Sequence, residues 1–207
     1  MHDRRIDGQT EIFGNYGALF MNAMTWYDHS TGSVWSQPWG RAIIGDLKGI
    51  ELFLLPSQIA TWSSWRDAYP DTLVMTNGLE RLGAIRERFD PDFVIGLLMN
   101  GEAKAFYFSD VFDAGIVNDF IGDIPIVVWA EEGRFHAYVR QVDAQVLTFT
   151  AEGDTLIDSE TGTHWDVARG LATEGSLQGQ SLLGVPSSSA FDWVWRDFYP
   201  ESDFYQP

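Results

Sequence analysis

The feature that most constrains this 207-residue chain is an internal repeat with a spacing of 130 residues. Residues 28–72 align without a gap with residues 158–202, and 18 of the 45 aligned positions are identical. Such self-similarity indicates that one supersecondary unit occurs twice. The repeat predicts a single domain, 1–207, with a partial first copy at about 13–75 and a fuller second copy at about 93–207.

Both copies carry an Asp-x-x-Thr-Gly motif followed by a tryptophan. An Asp side chain bonds nearby backbone N–H groups and Gly tolerates positive φ, so the motif predicts a hairpin loop with a buried aromatic partner. The residues assigned to this structural motif are Asp28, Thr31, Gly32, Trp35 and Trp65 in the first copy, and Asp158, Thr161, Gly162, Trp165 and Trp195 in the second.

A short helix is predicted near the end of each copy. Trp62, Trp65 and Tyr69 share one helical face, Thr61 is a suitable N-cap, and Pro70 stops the helix. Residues 191–198 repeat the pattern in the second copy. The apolar run 50–55 predicts a strand before the first helix.

The segment between the copies reads as strands and turns. Phe93 to Met99 is apolar, and Asn100-Gly101 is a strong hairpin turn. Asn118-Asp119 and Gly122-Asp123 predict breaks in a second hairpin that leads into 126–129. Residues 77–90 predict a short helix or an ordered loop. Many short strands predict a mainly β fold, α+β at the margin, as a barrel or sandwich built from the repeated hairpin-hairpin-short-helix unit.

Charge and composition exclude several classes of function. Asp and Glu number 30 against 13 Lys and Arg, a formal charge of −17 that argues against binding nucleic acid, which needs a basic face. The chain has no Cys, which excludes disulfides, thiolate metal sites and thiol catalysis. A dispersed acidic surface fits either a saline habitat or an ordinary acidic protein.

No targeting or membrane segment is evident in the sequence. The first eight residues have no apolar stretch of the kind found in signal peptides. The longest apolar runs, such as 94–99 and 124–129, are far shorter than the roughly 20 residues of a membrane-spanning helix. A cytoplasmic protein with no membrane span is therefore expected.

Several motifs follow one another in a fixed order along the chain: Asp28-x-x-Thr31-Gly32-Ser33-x-Trp35, Gly40-x-Ala42-x-x-Gly45-x-Leu47-x-Gly49-x-x-Leu52, Thr61-Trp62-x-x-Trp65, Tyr69-Pro70-Asp71-Thr72, Gly101-Glu102-Ala103-Lys104-Ala105-Phe106 and Val117-Asn118-Asp119-x-x-Gly122-x-x-Pro125. This order resembles a prokaryotic family catalogued as domain of unknown function 3179. The resemblance covers most of the chain and implies an architecture without an established activity. Fuller members resemble this chain extended upstream by a further copy of the intervening strands and a Cys-Pro-Leu-Cys element, so this sequence resembles a short form lacking that Cys-containing segment. The first copy then lacks strands that the second has, and self-association or rearranged strand pairing is expected to complete the fold.

A histidine lies near the Asp of each Asp-x-x-Thr-Gly motif, a combination that could bind a metal ion, although no metal site is predicted. His29 follows Asp28, and His164 lies near Asp158, but the repeat does not align the two histidines. Stabilisation of the turns by the two Asp side chains is the competing interpretation.

The polar candidates for catalysis lie in the second copy. Lys104 is one of few lysines and lies near Asn118 and Asp119, and His136 and Arg140 fall on a neighbouring strand. A desolvated lysine can act as a base or bind an anion, whereas an exposed or ion-paired lysine does neither. No cofactor is indicated.

The tryptophans without an identical partner in the other copy suggest a ligand groove. An aromatic face with a polar edge suits sugars, lipids and peptides, although ordinary core packing explains a tryptophan equally well. The candidates for ligand binding are Trp26, Trp39, Trp129 and Trp193.

Two functions therefore stay open. The preferred one is a non-catalytic binding or structural module with an aromatic-lined groove for a small molecule or a peptide. The alternative is an enzyme of unrecognised class that uses a Lys/Asp/Asn/His pocket. Convergence of Lys104, Asp119 and a histidine in one pocket would favour the enzyme.

Overall fold

The computed structural model describes residues 1–74 and 92–207, and within them the protein is mainly β, which confirms the predicted fold class. The predicted helix or loop at 77–90 lies outside the described residues. The helices are α1 (Trp62–Ala68), α2 (Phe108–Ala114) and α3 (Asp192–Phe198).

Two four-stranded antiparallel meanders contain the Asp-Thr-Gly turns. The first meander consists of β3 (Phe13–Phe20), β4 (Ala23–Asp28), β5 (Val34–Ser36) and β6 (Arg41–Ile44). The second meander consists of β14 (Phe149–Glu152), β15 (Thr155–Asp158), β16 (His164–Asp166) and β17 (Leu171–Glu174). A two-stranded ribbon precedes each of them: β1 (Arg5–Ile6) with β2 (Gln9–Thr10), and β12 (Gln141–Val142) with β13 (Gln145–Val146).

Two further sheets are built by the second half of the chain. The central sheet has the order β18 (Leu183–Gly184), β11 (Arg134–Val139), β10 (Ile124–Glu131) and β9 (Ile116–Ile121). The outer sheet has the order β19 (Ala190–Phe191), β7 (Phe93–Met99), β8 (Glu102–Tyr107) and β20 (Asp203–Phe204). None of these sheets, as described, closes on itself, so the fold is a stack of open sheets rather than a barrel.

The central sheet is buried on both faces. On one face, Ile126 and Val128 pack in a core with Ile95 and Phe106 of the outer sheet. On the other face, Trp129 and residues of the second meander form a second core. This double burial explains why β10 reads as a continuous apolar run.

The first meander encloses a smaller core, in which Trp35, Ala42 and Leu52 are the buried side chains. The prediction of a strand at 50–55 is wrong, because this stretch forms only isolated bridges, at Glu51 and Leu54.

Two other local details differ from expectation. The break predicted at Asn118-Asp119 is wrong, because both residues lie inside β9, whereas the break predicted at Gly122-Asp123 is confirmed as a turn. Helix α2 was not expected from the sequence; it buries Phe108 and Val111 against the outer and central sheets. The helix at Trp62–Ala68 is confirmed, with Thr61 Oγ1 accepting a hydrogen bond from the N–H of Ser64.

Candidate functional site

The first Asp-Thr-Gly turn encloses a fully buried carboxylate. Asp28 Oδ2 accepts a hydrogen bond from Trp35 Nε1 at 2.9 Å, and Oδ1 accepts from the backbone N of Thr31 at 2.6 Å. Burial opposes ionisation, but these donors, together with the hydroxyls of Thr31 and Ser30, outweigh it and lower the pKa of Asp28 to about 2. The carboxylate of Asp28 is thus committed to holding the turn.

The second turn repeats this arrangement, with Trp165 Nε1 3.0 Å from Asp158 Oδ2. The nearby histidines take no part in the hydrogen bonds described for these carboxylates. His29 is exposed and stacks on Tyr27, and His164 is half-buried on β16. Among the residues that the structure describes, no group of three or more His, Asp or Glu side chains is placed to hold a metal ion.

Lys104 and Asp119 form an ion pair between β8 and β9. Lys104 Nζ lies 2.7 Å from Asp119 Oδ2 and also donates to the carbonyl of Phe120 at 3.2 Å. The two side chains are 17% and 21% exposed. These contacts pair the charge of Lys104 with a carboxylate, and they connect the outer sheet to the central sheet.

Asn118 and Arg140 bind backbone groups. The Asn118 amide donates to the carbonyl of Phe149 and accepts from its N–H, both at 2.8 Å, so it caps the edge of the second meander. The buried guanidinium of Arg140 donates to the carbonyls of Ile126 and Leu147 at 3.0 and 2.9 Å. Both side chains connect the central sheet to the segment that leads into β14.

The polar candidates for catalysis do not converge. Asp119 is paired with Ile126, whose side chain lies in the core beneath the outer sheet. His136 is paired with Trp129, which packs in the core beneath the second meander. Because paired residues point to the same face of a sheet, the Lys104–Asp119 ion pair and His136 lie on opposite faces.

His136 links the two halves of the chain as a neutral imidazole. Its Nδ1 lies 2.6 Å from Gln58 Oε1, and Gln58 Nε2 donates to the carbonyl of Ala168 at 3.3 Å, so the histidine Nδ1 is the donor. Burial, with a contribution from the Arg134 guanidinium, lowers the pKa of His136 to about 4.

Two of the candidate tryptophans are occupied in packing. Trp39 donates its indole N–H to the carbonyl of Phe198 at 2.9 Å and lies beneath the Arg41 guanidinium. Trp129 is 4% exposed and is covered by Arg134. Trp193, by contrast, is half exposed.

Trp26 lines a cavity of about 680 Å³ at the seam between the two halves. Its apolar lining includes Trp26, Leu52 and Phe135, and a run of serines at 187–189 contributes hydroxyls. The volume lies within the range of ligand pockets in proteins. A neighbouring cavity of about 650 Å³ shares His2 with it.

Two buried polar atoms in the lining of the 680 Å³ cavity, His2 Nδ1 and Ser189 Oγ, have no hydrogen-bond partner within residues 1–74 and 92–207. His2 Nε2 lies 3.0 Å from the carbonyl of Gln37, so Nε2 carries the proton and Nδ1 is an acceptor. Burial and the adjacent N-terminal ammonium lower the pKa of His2, so its ring is neutral. The cavity is therefore lined by a histidine and by serines beside aromatic surface.

His2 has a structural counterpart in Tyr138 of the second half. His2 contacts the carbonyl of Gln37, and Tyr138 donates to the carbonyl of Val167, which is the repeat partner of Gln37. The bridge from His2 to Leu54 matches the pairing of Tyr138 with Gly184. The N-terminal residues thus pack on the first meander in the same way as the end of β11 packs on the second meander.

The sequence contains a signal for this match at a second spacing, which a repeat of 130 residues does not include. Arg4, Asp7, Gln9 and Phe13 are identical to the residues 136 positions later, not 130. The spacing changes because the β3–β4 hairpin is longer than the β14–β15 hairpin. The cavity residues His2, Gln58 and Ser189 were not identified from the sequence.

The structure also contains no helix, among the residues described, that is long and apolar enough to span a membrane. Comparison with curated proteins and with solved structures finds no match to either. One family model matches twice, at residues 1–92 and 84–202. Together these two matches span nearly the whole sequence, and the chain belongs to the family described as protein of unknown function DUF3179.

Proposed function

We propose that this protein is a non-catalytic binding module whose ligand occupies the cavity at the seam between the halves. The observation that carries the proposal is the 680 Å³ cavity, which is lined by the Trp26 ring and by two residues, His2 and Ser189, that each have a buried side-chain atom without a hydrogen-bond partner among the described residues. Buried polar atoms are normally satisfied, so unpaired ones that line a cavity are expected to bind a ligand or water.

The lining indicates the kind of ligand. The lining combines the polar residues Ser57, Gln58 and Ser189 with apolar surface from Phe13 and Trp26. Among the residues of the lining that the structure describes, Arg4 is the one ionised side chain, and it is exposed. An uncharged ligand with an apolar face and hydrogen-bond donors matches these walls.

Domain organisation is part of the proposal. A single domain made of a first copy at about 13–75 and a second at about 93–207 places the cavity between the copies. Contacts across the seam support this organisation: Ser187 Oγ donates to the carbonyl of Ser57 at 2.8 Å, and Ile59 bridges to Phe135. We further propose that the protein self-associates and does not bind nucleic acid.

An uncharged fluorescent probe, N-phenyl-1-naphthylamine, tests the binding proposal. We expect saturable binding of one probe per chain, weakened at least about ten-fold by Trp26→Ala. Trp193→Ala is the matched control, because Trp193 is half exposed and does not line the cavity. Each variant should be checked for a native melting transition.

A second variant keeps the test decisive if Trp26→Ala does not fold. Ser189→Trp should fill the cavity and remove probe binding while the melting temperature stays near that of the natural protein. Absence of saturable binding, or equal binding by Ser189→Trp and the natural protein, would refute the proposal. Native mass spectrometry of protein purified without denaturation would identify a ligand carried from the cell.

A further inference from the structure

The N-terminal residues lie antiparallel along residues 53–55 through one backbone edge. Asp3 N–H donates to the carbonyl of Phe53 at 2.8 Å, and the N–H of Leu55 donates to the carbonyl of Met1 at 2.8 Å. These two bonds flank His2, so the backbone N–H and C=O of His2 point to the opposite edge.

In the second half, the corresponding edge is covered by β10. Val127 of β10 is paired with Tyr138, and the N–H of Arg140 donates to the carbonyl of Pro125 at 3.0 Å. Because hydrogen-bonded pairs recur at every second residue of an antiparallel ladder, Val127 exchanges backbone bonds with Tyr138. The side chains of Val127 and Trp129 enter the core with the second meander.

In the first half, no strand within the described residues lies along this edge. The backbone groups of His2 and the N–H of Arg4 have no hydrogen bond to residues 1–74 or 92–207. The 680 Å³ cavity opens here, lined by Met1, His2, Arg4, Phe13 and Trp26. Their counterparts in the second half, Ala137, Tyr138, Arg140, Phe149 and Leu156, pack against or pair with β9 and β10.

We propose that the ligand of this cavity is an extended peptide strand that pairs antiparallel with residues 1–4, as β10 pairs with β11. The inference rests on the proposed function and names its ligand class. Unpaired strand edges bind extended peptides through main-chain hydrogen bonds, and side-chain pockets provide specificity. The matching peptide has alternating β-branched or aromatic residues that face Trp26.

A free peptide strand fits this edge better than a second copy of this chain does. In this protein β10 is paired on both of its edges, with β9 and β11. A second copy could donate β10 only by opening its own central sheet, which would expose Ile126, Val128 and Trp129 to water.

A synthetic peptide of residues 122–131 with a fluorescein label tests the inference, since it has the sequence that fills the equivalent place in the second half. We expect saturable binding by fluorescence anisotropy. Methylation of the peptide nitrogen at Val127 should weaken binding at least about ten-fold, because that N–H faces the paired strand. Methylation at Val128 is the matched control and should change the affinity less than about three-fold, because that N–H faces away.

The outcomes separate this inference from the proposed function. If the naphthylamine probe binds and the peptide neither binds nor displaces it, the peptide inference fails and the binding module stands. Equal effects of the two methylations would also overturn the inference. A dimer in light scattering that the peptide dissociates would place a second copy on this edge and overturn it as well. If neither probe binds, both proposals fail.

Discussion

Replacing Asp28 with Asn removes the charge that the first Asp-Thr-Gly turn encloses. The pKa of Asp28 is about 2 against an ordinary value of 3.8, and each pKa unit corresponds to about 1.4 kcal/mol, so ionisation of this group contributes about 2 kcal/mol to the free energy of unfolding at neutral pH. The Asn amide keeps an oxygen for the N–H of Thr31, but its NH2 faces the indole N–H of Trp35. An unsatisfied buried donor costs about 1–3 kcal/mol. We expect Asp28→Asn to lower stability by about 2–4 kcal/mol at pH 7.

The pH dependence provides an independent check. A carboxyl group with a lowered pKa stabilises the fold above its unfolded-state pKa, and that contribution is lost as the pH falls through the folded-state value. The difference between the natural protein and Asp28→Asn should therefore shrink by about 2 kcal/mol between pH 5 and pH 2.

Urea unfolding followed by tryptophan fluorescence measures both quantities. Asp46→Asn, at an exposed position, controls for the loss of one negative charge. Asp158→Asn should produce a comparable loss at pH 7, because Asp158 accepts the same bonds from Trp165 and Thr161. A change below about 0.5 kcal/mol for Asp28→Asn, or a difference that does not vary with pH, would refute the reasoning.

Three further predictions concern pH, packing and salt. Because burial lowers the pKa of His136 from 6.5 to about 4, stability should fall by about 3 kcal/mol as the pH decreases across that interval, and His136→Gln should flatten the fall in a pH series of melting temperatures. Gly96→Ala places a methyl group against the Trp195 ring and should cost about 2–3 kcal/mol in urea unfolding; Trp195→Phe in the same chain should recover part of it. If the −17 charge reflects a saline habitat, molar NaCl should raise the melting temperature sharply, whereas an ordinary acidic protein should change little.

Local features were predictable because their causes lie close together in the chain. Asp28, Thr31 and Trp35 fall within eight residues, so the turn chemistry that holds them is visible in the motif. Thr61 and Pro70 likewise bound α1 through backbone requirements of the residues beside them. Alternating apolar residues and regular turns predicted the mainly β class for the same reason.

The grouping of distant side chains was not predictable in this way. Lys104 and Asp119 are an ion pair, whereas His136 lies on the other face of the central sheet, and a shift of one residue in strand register would reverse that result. Register depends on which strands pair, which the spacing of residues along the chain does not specify.

By itself, the sequence determined the repeated unit, its turns and its β character, since these follow from residue types at short range. Only the tertiary structure decided which backbone edge and which cavity the repeated unit leaves open among the described residues. It placed His2 where Tyr138 lies in the second half and left the outer edge of His2 without a strand among the described residues. It also opened a cavity beside Trp26. These features arise from the way the two halves pack, because backbone hydrogen bonding and burial are satisfied between segments more than a hundred residues apart.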